Sequence, residues 1–398
     1  MAGHTVKFSP ENQSQTLFIT PIGNKARVIV FSYIVTPSGG LQSSGMVICG
    51  MNEALLNDVK FNCDVSDAQF WGYYSVCGLL MRYRDLYRSE QGLKPWADIR
   101  RDEIGAWIEK KEGRWPELEQ QTFRDLIVNG KKYYPFAVAE INEALRADGL
   151  VYGAGYGMYM KPSFFLAELR SVREFSGLTV YTSGQELVRD LFTAPGMLQE
   201  RSIFLRLEPL MMLLLYKHSE LNIRRVTSLE DAFAHYGFQP RRLVDDTFYK
   251  RLENMAERYA EVLLSHEIAE AMEETQEWKN ILALAGDRQV EHYLRALKDL
   301  LADTSDQGPY KKIIDTRDHG ALALSLALME GYRKVLYPEI KQAYSDFALG
   351  HDWTVVEKAR RAGYERFRTE RNEIENRYRT RKSTEDFIKA LKEQIQKA

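Results

Sequence analysis

The sequence predicts an α+β protein, predominantly helical, with a small antiparallel sheet in mid-chain and a β-rich N-terminal element. Three observations lead there. Apolar residues recur by threes and fours through most of the second half of the chain. Short β-branched or alternating runs bounded by Gly and Pro cluster between residues 150 and 208. Two further β-branched runs, joined by a turn carrying Gly23 and Asn24, occupy the first fifty residues.

Composition bounds the class of object. A chain of 398 residues can bury a sizeable core and form two or three domains. A net charge of -2 provides no overall attraction to nucleic acid or anionic lipid. Three cysteines (Cys49, Cys63, Cys77) are too few for a disulfide framework and point to a reducing compartment, with the thiols buried as small apolar groups. The opening MAGHTVKFSPENQ lacks the charged-then-apolar layout of a signal peptide. The longest apolar runs, residues 210–216 and 321–329, fall far short of the roughly 20 residues that span a bilayer. A cytoplasmic location is therefore expected.

Taken in order, TLFIT and ARVIVFSYIVT read as two strands, residues 36–45 as a loop and GMVICGM as a third short strand. This element would serve as an oligomerisation or docking arm, or pack on the later sheet. From residue 64 the period becomes helical. Ser66 reads as an N-cap, and Phe70, Tyr73, Cys77, Leu80, Arg84 and Tyr87 step toward Gly92. A turn and a helix follow over residues 94–115, and another helix over 136–147. LVYGAGYGMYM, SFFLAELRS, LTVYTSG and SIFLRLE read as four strands, with GQELVRDLF as an intervening helix. After Pro209 the chain reads as helix, including one unbroken helix over 250–278 and an all-round apolar one over 321–336. The last long helix starts near Asp352, with Trp353, Val356, Gly363, Phe367, Ile374 and Tyr378 on one face. The expected divisions are 1–60, 61–208 and 209–398.

The densest chemistry lies on the 250–278 helix. Its seam runs through Leu252, Met255, Tyr259 and Val262, then reaches His266 and Ala269. At about 100° per residue, Glu270 and Glu273 lie within roughly 40° of His266. His266-Glu267-Ile268-Ala269-Glu270 has the outline HExxE, a zinc-peptidase helix with its second imidazole replaced by a carboxylate. Zinc and iron accept such a pair. Here His266 and Glu270 would hold a divalent metal, zinc or iron, and Glu267 or Glu273 would handle the proton. Further ligands would come from Asp303, Asp306, Asp315, Asp318 or His319; Asp303, Asp315 and His319 are preferred. No Glu-x-x-His occurs, which removes the usual di-iron bundle signature. A Glu-rich helix also places Glu four residues after a His without any metal. On that competing reading Arg84, on an aromatic seam, pairs with Glu270 or Glu273 in a structural network while Arg82, Asp85 and Arg88 form a solvated face.

Other features carry less. The run of glycines 153, 155 and 157 lacks the spacing and following helix of a dinucleotide loop, and reads as a hairpin with close backbone approach. A helix followed by a hairpin is also the order of a winged helix, but Glu140 and Glu143 would face the groove, which argues against nucleic acid. The arginine-rich last helix alternates charge sign and reads as a solvated face. Glu186, Arg189 and Asp190 suit a helix-stabilising pair, and His292 lies on a polar face. No GxSxG, CxxC or Walker loop is present.

The segments NCDVSDAQFWGYYSVCGLLMRYRDLYRSEQGLKPW, VYGAGYGMYMKPSFFLAEL and SHEIAEAMEE resemble an uncharacterised family of bacterial hypothetical proteins over residues 60–365. The resemblance implies a bacterial cytoplasmic origin and no reaction. Two functional readings remain open: a metal- or small-molecule-dependent enzyme, hydrolytic in type, centred on the His/Glu helix face, or a non-enzymatic interaction or scaffold protein. The latter would meet a protein partner or a second copy through the N-terminal strands or the basic C-terminal helix.

Overall fold

The computed structural model describes residues 53–238 and 244–396, together with the backbone of four strands nearer the N-terminus. Those strands belong to a unit of their own, Met1–Glu53. They are β1 (His4–Thr5), β2 (Gln13–Ile22), β3 (Lys25–Val35) and β4 (Leu41–Ser43), paired antiparallel in sequence order. The expected hairpin forms, β2 pairing with β3 from Gln13↔Ile34 to Ile22↔Lys25. β4 lies within the stretch read as a loop. The strand expected over 45–51 falls outside the described residues, as does Cys49.

The second unit, Ala54–Ala398, opens with helices. α1 (Glu53–Phe70) and α2 (Val76–Glu90) share the span read as one helix. Ser66 is not an N-cap: it is buried inside α1, and Ser75 caps α2 by accepting a hydrogen bond from Gly78 N at 3.1 Å. Cys63 is buried as expected, whereas Cys77 is exposed on the first turn of α2. α3 (Arg101–Glu112) and α4 (Trp115–Leu118) follow, then the hairpin β5 (Leu126–Val128) and β6 (Lys131–Tyr133). α5 (Val138–Leu145) ends in a tight turn closed by Gly149 at φ 68°, a left-handed position that costs glycine little.

A five-stranded sheet occupies the middle of the chain. It comprises β7 (Leu150–Tyr156), β8 (Pro162–Phe175), β9 (Leu178–Arg189), β10 (Gly196–Gln199) and β11 (Ser202–Arg206), in the order β10-β11-β9-β8-β7. All pairings are antiparallel except β11 with β9, which is parallel from Ser202↔Thr179 to Arg206↔Ser183. The β8–β9 turn uses Ser176 and Gly177, both at positive φ, as a two-residue hairpin with right-handed strand twist requires. The glycine run is indeed hairpin. A Cβ at Gly153 would lie 2.0 Å from the Phe165 ring. The expected helix over GQELVRDLF does not form. Residues 184–189 continue β9, pairing Leu166↔Val188 and Phe165↔Arg189 beyond three register shifts. Cross-strand packing overrides the i,i+4 apolar spacing that suggested a helix.

One buried charge cluster ties α1 to this sheet. Lys161 Nζ donates to Ser66 Oγ at 2.7 Å and lies 3.3 Å from Asp67 and 3.4 Å from Asp190. The carboxylates in turn accept backbone N–H groups, Asp67 from Leu191 at 3.0 Å and Asp190 from Phe164 at 2.9 Å and Phe192 at 2.7 Å. Burial, only partly offset by Lys161, still lifts the Asp67 carboxyl to about 6.

The remaining chain is helical: α6 (Leu207–Glu220), α7 (Thr227–His235), α8 (Asp246–Glu273), α9 (Gln276–Leu284), α10 (Arg288–Thr304), α11 (Pro309–Thr316), α12 (His319–Ala327), α13 (Gly331–Leu336), α14 (Pro338–Gly350), α15 (Trp353–Arg379) and α16 (Thr384–Ile395). α8 starts where Asp245 accepts from Phe248 N at 2.7 Å. It stops short of Trp278, because Thr275 caps a new helix by accepting from Trp278 N at 3.1 Å. The run 321–336 also divides, with Gly331 at φ 56° opening α13. Leu252, Met255, Tyr259 and Val262 are buried on α8, as the seam predicts. Each such side chain contributes roughly 1.5–3 kcal/mol by leaving water. Val356, Phe367 and Ile374 of α15 enter the same core.

Candidate metal centre

Two helices build the site. α8 carries His266, Glu267 and Glu270 beyond its apolar turns, and α10 presents Lys298, Asp299 and Asp303 near its C-terminal end. α10 is strongly amphipathic: Val290, Leu294, Leu297 and Leu301 are buried, which fixes the side from which its polar groups reach α8. Asp303 sits in the last turn of this helix.

The geometry centres on the imidazole. His266 Nδ1 lies 2.7 Å from Asp303 Oδ1, and Nε2 lies 3.6 Å from Glu270 Oε2. Glu270 Oε1 accepts from Lys298 Nζ at 2.7 Å. Arg333 of α13 stands 3.8 Å from both Asp299 and Asp303. His266, Glu270 and Asp299 each offer a donor atom, all within 4.8 Å of one another. One nitrogen and two carboxylate oxygens make a donor set that zinc and iron(II) accept.

Burial and charge act in opposite directions here. Burial alone would lower the His266 imidazole, but Asp303 and Glu270 raise it well above its ordinary value. Burial would raise Glu270, yet Lys298 and His266 hold it down at about 2. Glu267 is lifted to about 8, first by burial and then by the Glu270 charge. It lies against β10 so closely that a Cβ on Gly196 would come within 2.5 Å of its Oε1. At neutral pH, Glu267 is therefore a protonated carboxyl beside two ionised groups.

This arrangement makes stability depend on pH. Between about 4.5 and about 8 the folded protein keeps a proton on Glu267 that the unfolded chain releases, so this group costs more as pH rises through that window. Glu267→Gln is expected to raise stability by roughly 1–3 kcal/mol near pH 7.5 and to give no gain near pH 4.5. Urea unfolding of both proteins at the two pH values measures the difference.

The other sequence-predicted residues go elsewhere. Glu273 accepts from Tyr364 Oη at 2.8 Å and pairs with Arg371 at 3.0 Å, both from α15. Asp315 is exposed on α11 beside Lys311. His319 packs against the rings of His235 and His351. Asp306 pairs with Arg360 and Asp318 caps α12. Arg84 is exposed, so the cations on the acidic stripe are Lys298 and Arg371 instead. Arg82 donates to Leu191 O at 2.7 Å and Arg88 is buried, so they do not form a solvated face. Sequence reasoning missed Asp299, Lys298 and Arg333. The signal for Asp299 was its spacing: Asp299 and Asp303 are four apart on one helix, like His266 and Glu270 on the other.

Comparison with known proteins places the chain without assigning it a reaction. Residues 54–206 match the N-terminal domain, and residues 212–398 the C-terminal domain, of a family of unknown function, DUF6866. No curated protein and no solved structure matches. The two halves of the family model together cover all but the N-terminal strands and a short join, and the chain belongs to the DUF6866 family.

Proposed function

We propose that the chain is a metal-dependent enzyme of hydrolytic type, with a divalent cation held by His266 Nε2, Glu270 and Asp299. The observation that carries this reading is the 2.7 Å contact between His266 Nδ1 and Asp303. A carboxylate on one ring nitrogen fixes the tautomer and orients the other nitrogen toward a metal, the usual outer partner of a histidine ligand. Here the other nitrogen faces Glu270 and Asp299. Zinc or iron at this position would supply Lewis acidity and an activated water. Lys298, which pairs with Glu270 at 2.7 Å, would yield its place to the cation. Glu267, buried beside Glu270 on the same helix, is the carboxyl available to handle the proton.

A second reading is favoured by the charge balance. Three cations, His266, Lys298 and Arg333, face three carboxylates, Glu270, Asp299 and Asp303, and Glu273 is answered by Arg371. That network is complete without a metal and suits an interaction or scaffold protein. The basic helix α15 offers such a protein little free charge, because Arg360, Arg361, Arg366, Arg368 and Arg371 are paired within the chain. The low cysteine count and the bacterial resemblance support a bacterial cytoplasmic setting as part of the same proposal. Among the described residues no helix is long and apolar enough to cross a membrane.

Elemental analysis separates the readings. Protein prepared without a histidine tag and reconstituted with zinc is expected to hold near-stoichiometric metal and to lose it in His266→Ala. Asp303→Asn should bind about 10–100-fold more weakly. Wild type that retains no metal, with His266→Ala merely melting earlier, would leave the ion-pair network as the account.

A further inference from the structure

A cavity of about 290 Å³ opens where α2, β9, α6 and the start of α8 meet. It is lined by three guanidinium groups, Arg88, Arg170 and Arg189, and by the carboxyls of Asp85, Glu208 and Glu253. None of these belongs to the metal centre.

Two of the arginines are held in place by the fold. Arg88 Nε and Nη2 both donate to Ala97 O, at 3.3 and 3.2 Å. Arg189 donates from Nη1 to Asp190 O at 3.3 Å, and its Nε lies 3.4 Å from Glu186. Arg88 Nη1 stands 3.7 Å from Asp85 Oδ1, and Arg189 Nη2 is the guanidinium nitrogen that these contacts do not use. Both side chains are almost buried.

Each arginine has a carboxylate 3.4–3.7 Å away, and none of these three ion pairs is a direct hydrogen bond. Asp85 accepts the Tyr216 hydroxyl and stands 3.7 Å from Arg88. Glu253 is at the rim, 3.7 Å from the half-exposed Arg170. Glu208 accepts Glu186 N at 2.7 Å, and burial, reinforced by the Glu186 charge, lifts it to about 7. It can therefore present a proton to an incoming oxyanion. Leu207, Met211 and Met212 add an apolar wall.

We propose that this cleft binds a small organic anion, its carboxylate or phosphate oxygens on Arg88 and Arg189 and its carbon skeleton against Leu207, Met211 and Met212. Planar guanidinium groups with free N–H donors recognise both kinds of oxyanion by paired hydrogen bonds. The volume lies at the lower end of small-molecule sites, which suits a short-chain metabolite and excludes a nucleic acid strand. The apolar wall distinguishes an organic anion from a bare inorganic one.

Calorimetric titration with glutarate and with glycerol 3-phosphate tests the proposal on the full chain. At least one of the two is expected to bind wild type with a submillimolar Kd, and the tighter of them identifies the oxyanion. Arg189→Lys, which keeps the charge beside Glu186 but loses the planar fork, is expected to weaken binding roughly tenfold. Met212→Trp, which fills the cleft without altering a charge, is expected to block it. Melting temperatures check that both variants fold. A wild type that binds neither probe at millimolar concentration overturns the proposal. So does binding that is unchanged in both variants.

Discussion

Lys161→Met is expected to destabilise the protein by about 3–5 kcal/mol, the usual cost of removing one partner from a buried ionic cluster. The methionine fills similar space, so the loss is electrostatic rather than a cavity effect. Asp67 and Asp190 are both fully buried and would face each other without the ammonium group between them. Asp67 already sits at about 6 with Lys161 present, and one of its oxygens, Oδ2, has no hydrogen-bond partner among the described residues. Without the lysine it will take up a proton at still higher pH. In the variant's native state Asp67 then holds above about pH 6 a proton that the wild type has released, so the deficit grows as pH rises and shrinks toward pH 5. Asp67→Asn in the same chain should recover part of the loss by removing one of the stranded charges. Urea unfolding of the single and double variants at two pH values measures both effects. A Lys161→Met protein as stable as wild type at pH 8 would remove the cluster from any account of how α1 is held to the sheet.

The second large effect is expected at Arg206, which is 1% exposed at the end of β11. Its Nε donates to Glu186 Oε1 at 2.6 Å and its guanidinium lies 4.3 Å from the Phe165 ring centre. Arg206→Met should cost about 3–5 kcal/mol, because it removes the guanidinium that answers the fully buried Glu186. Arg189, 3.4 Å from Glu186, offsets only part of this. Arg206→Lys tests the geometry separately. A lysine supplies the charge but not the fork or the stacking on Phe165, and should recover less than half of the loss. Thermal unfolding of wild type and the two variants at neutral pH ranks them. Equal stability of the Arg206→Met and Arg206→Lys proteins would show that packing and not charge decides this position.

Much of the fold was legible because it rests on local periodicity. The seams of α8, α10 and α15 are three- and four-residue patterns, and the buried residues fall where those patterns place them. The strands around Gly153 and Gly177 announced themselves through backbone freedom. The misreadings have a shared origin. GQELVRDLF carries helical spacing, but its first six residues continue β9 and pair with β8, which outweighs their own preference. The unbroken helix over 250–278 failed at Thr275, whose hydroxyl gains more by capping Trp278 N than the helix gains by continuing. Ser66 looked like a cap because caps and buried hydrogen-bonding serines share one residue type.

By itself the sequence determined that His266 and Glu270 share a helix face, since helical geometry places residues four apart side by side. It also determined that this face continues an apolar seam. Only the tertiary structure decided which groups answer them, Asp303 on one ring nitrogen, Asp299 and Lys298 across the interface, and Arg371 drawing Glu273 away. The reason is physical. Partners on a second helix are set by how two amphipathic surfaces pack, and a stripe of charges carries no mark of which neighbour it will meet. The arginine-lined cleft was hidden for the same cause: its walls come from residues 85 to 253 and converge only when the sheet and the helices close around it.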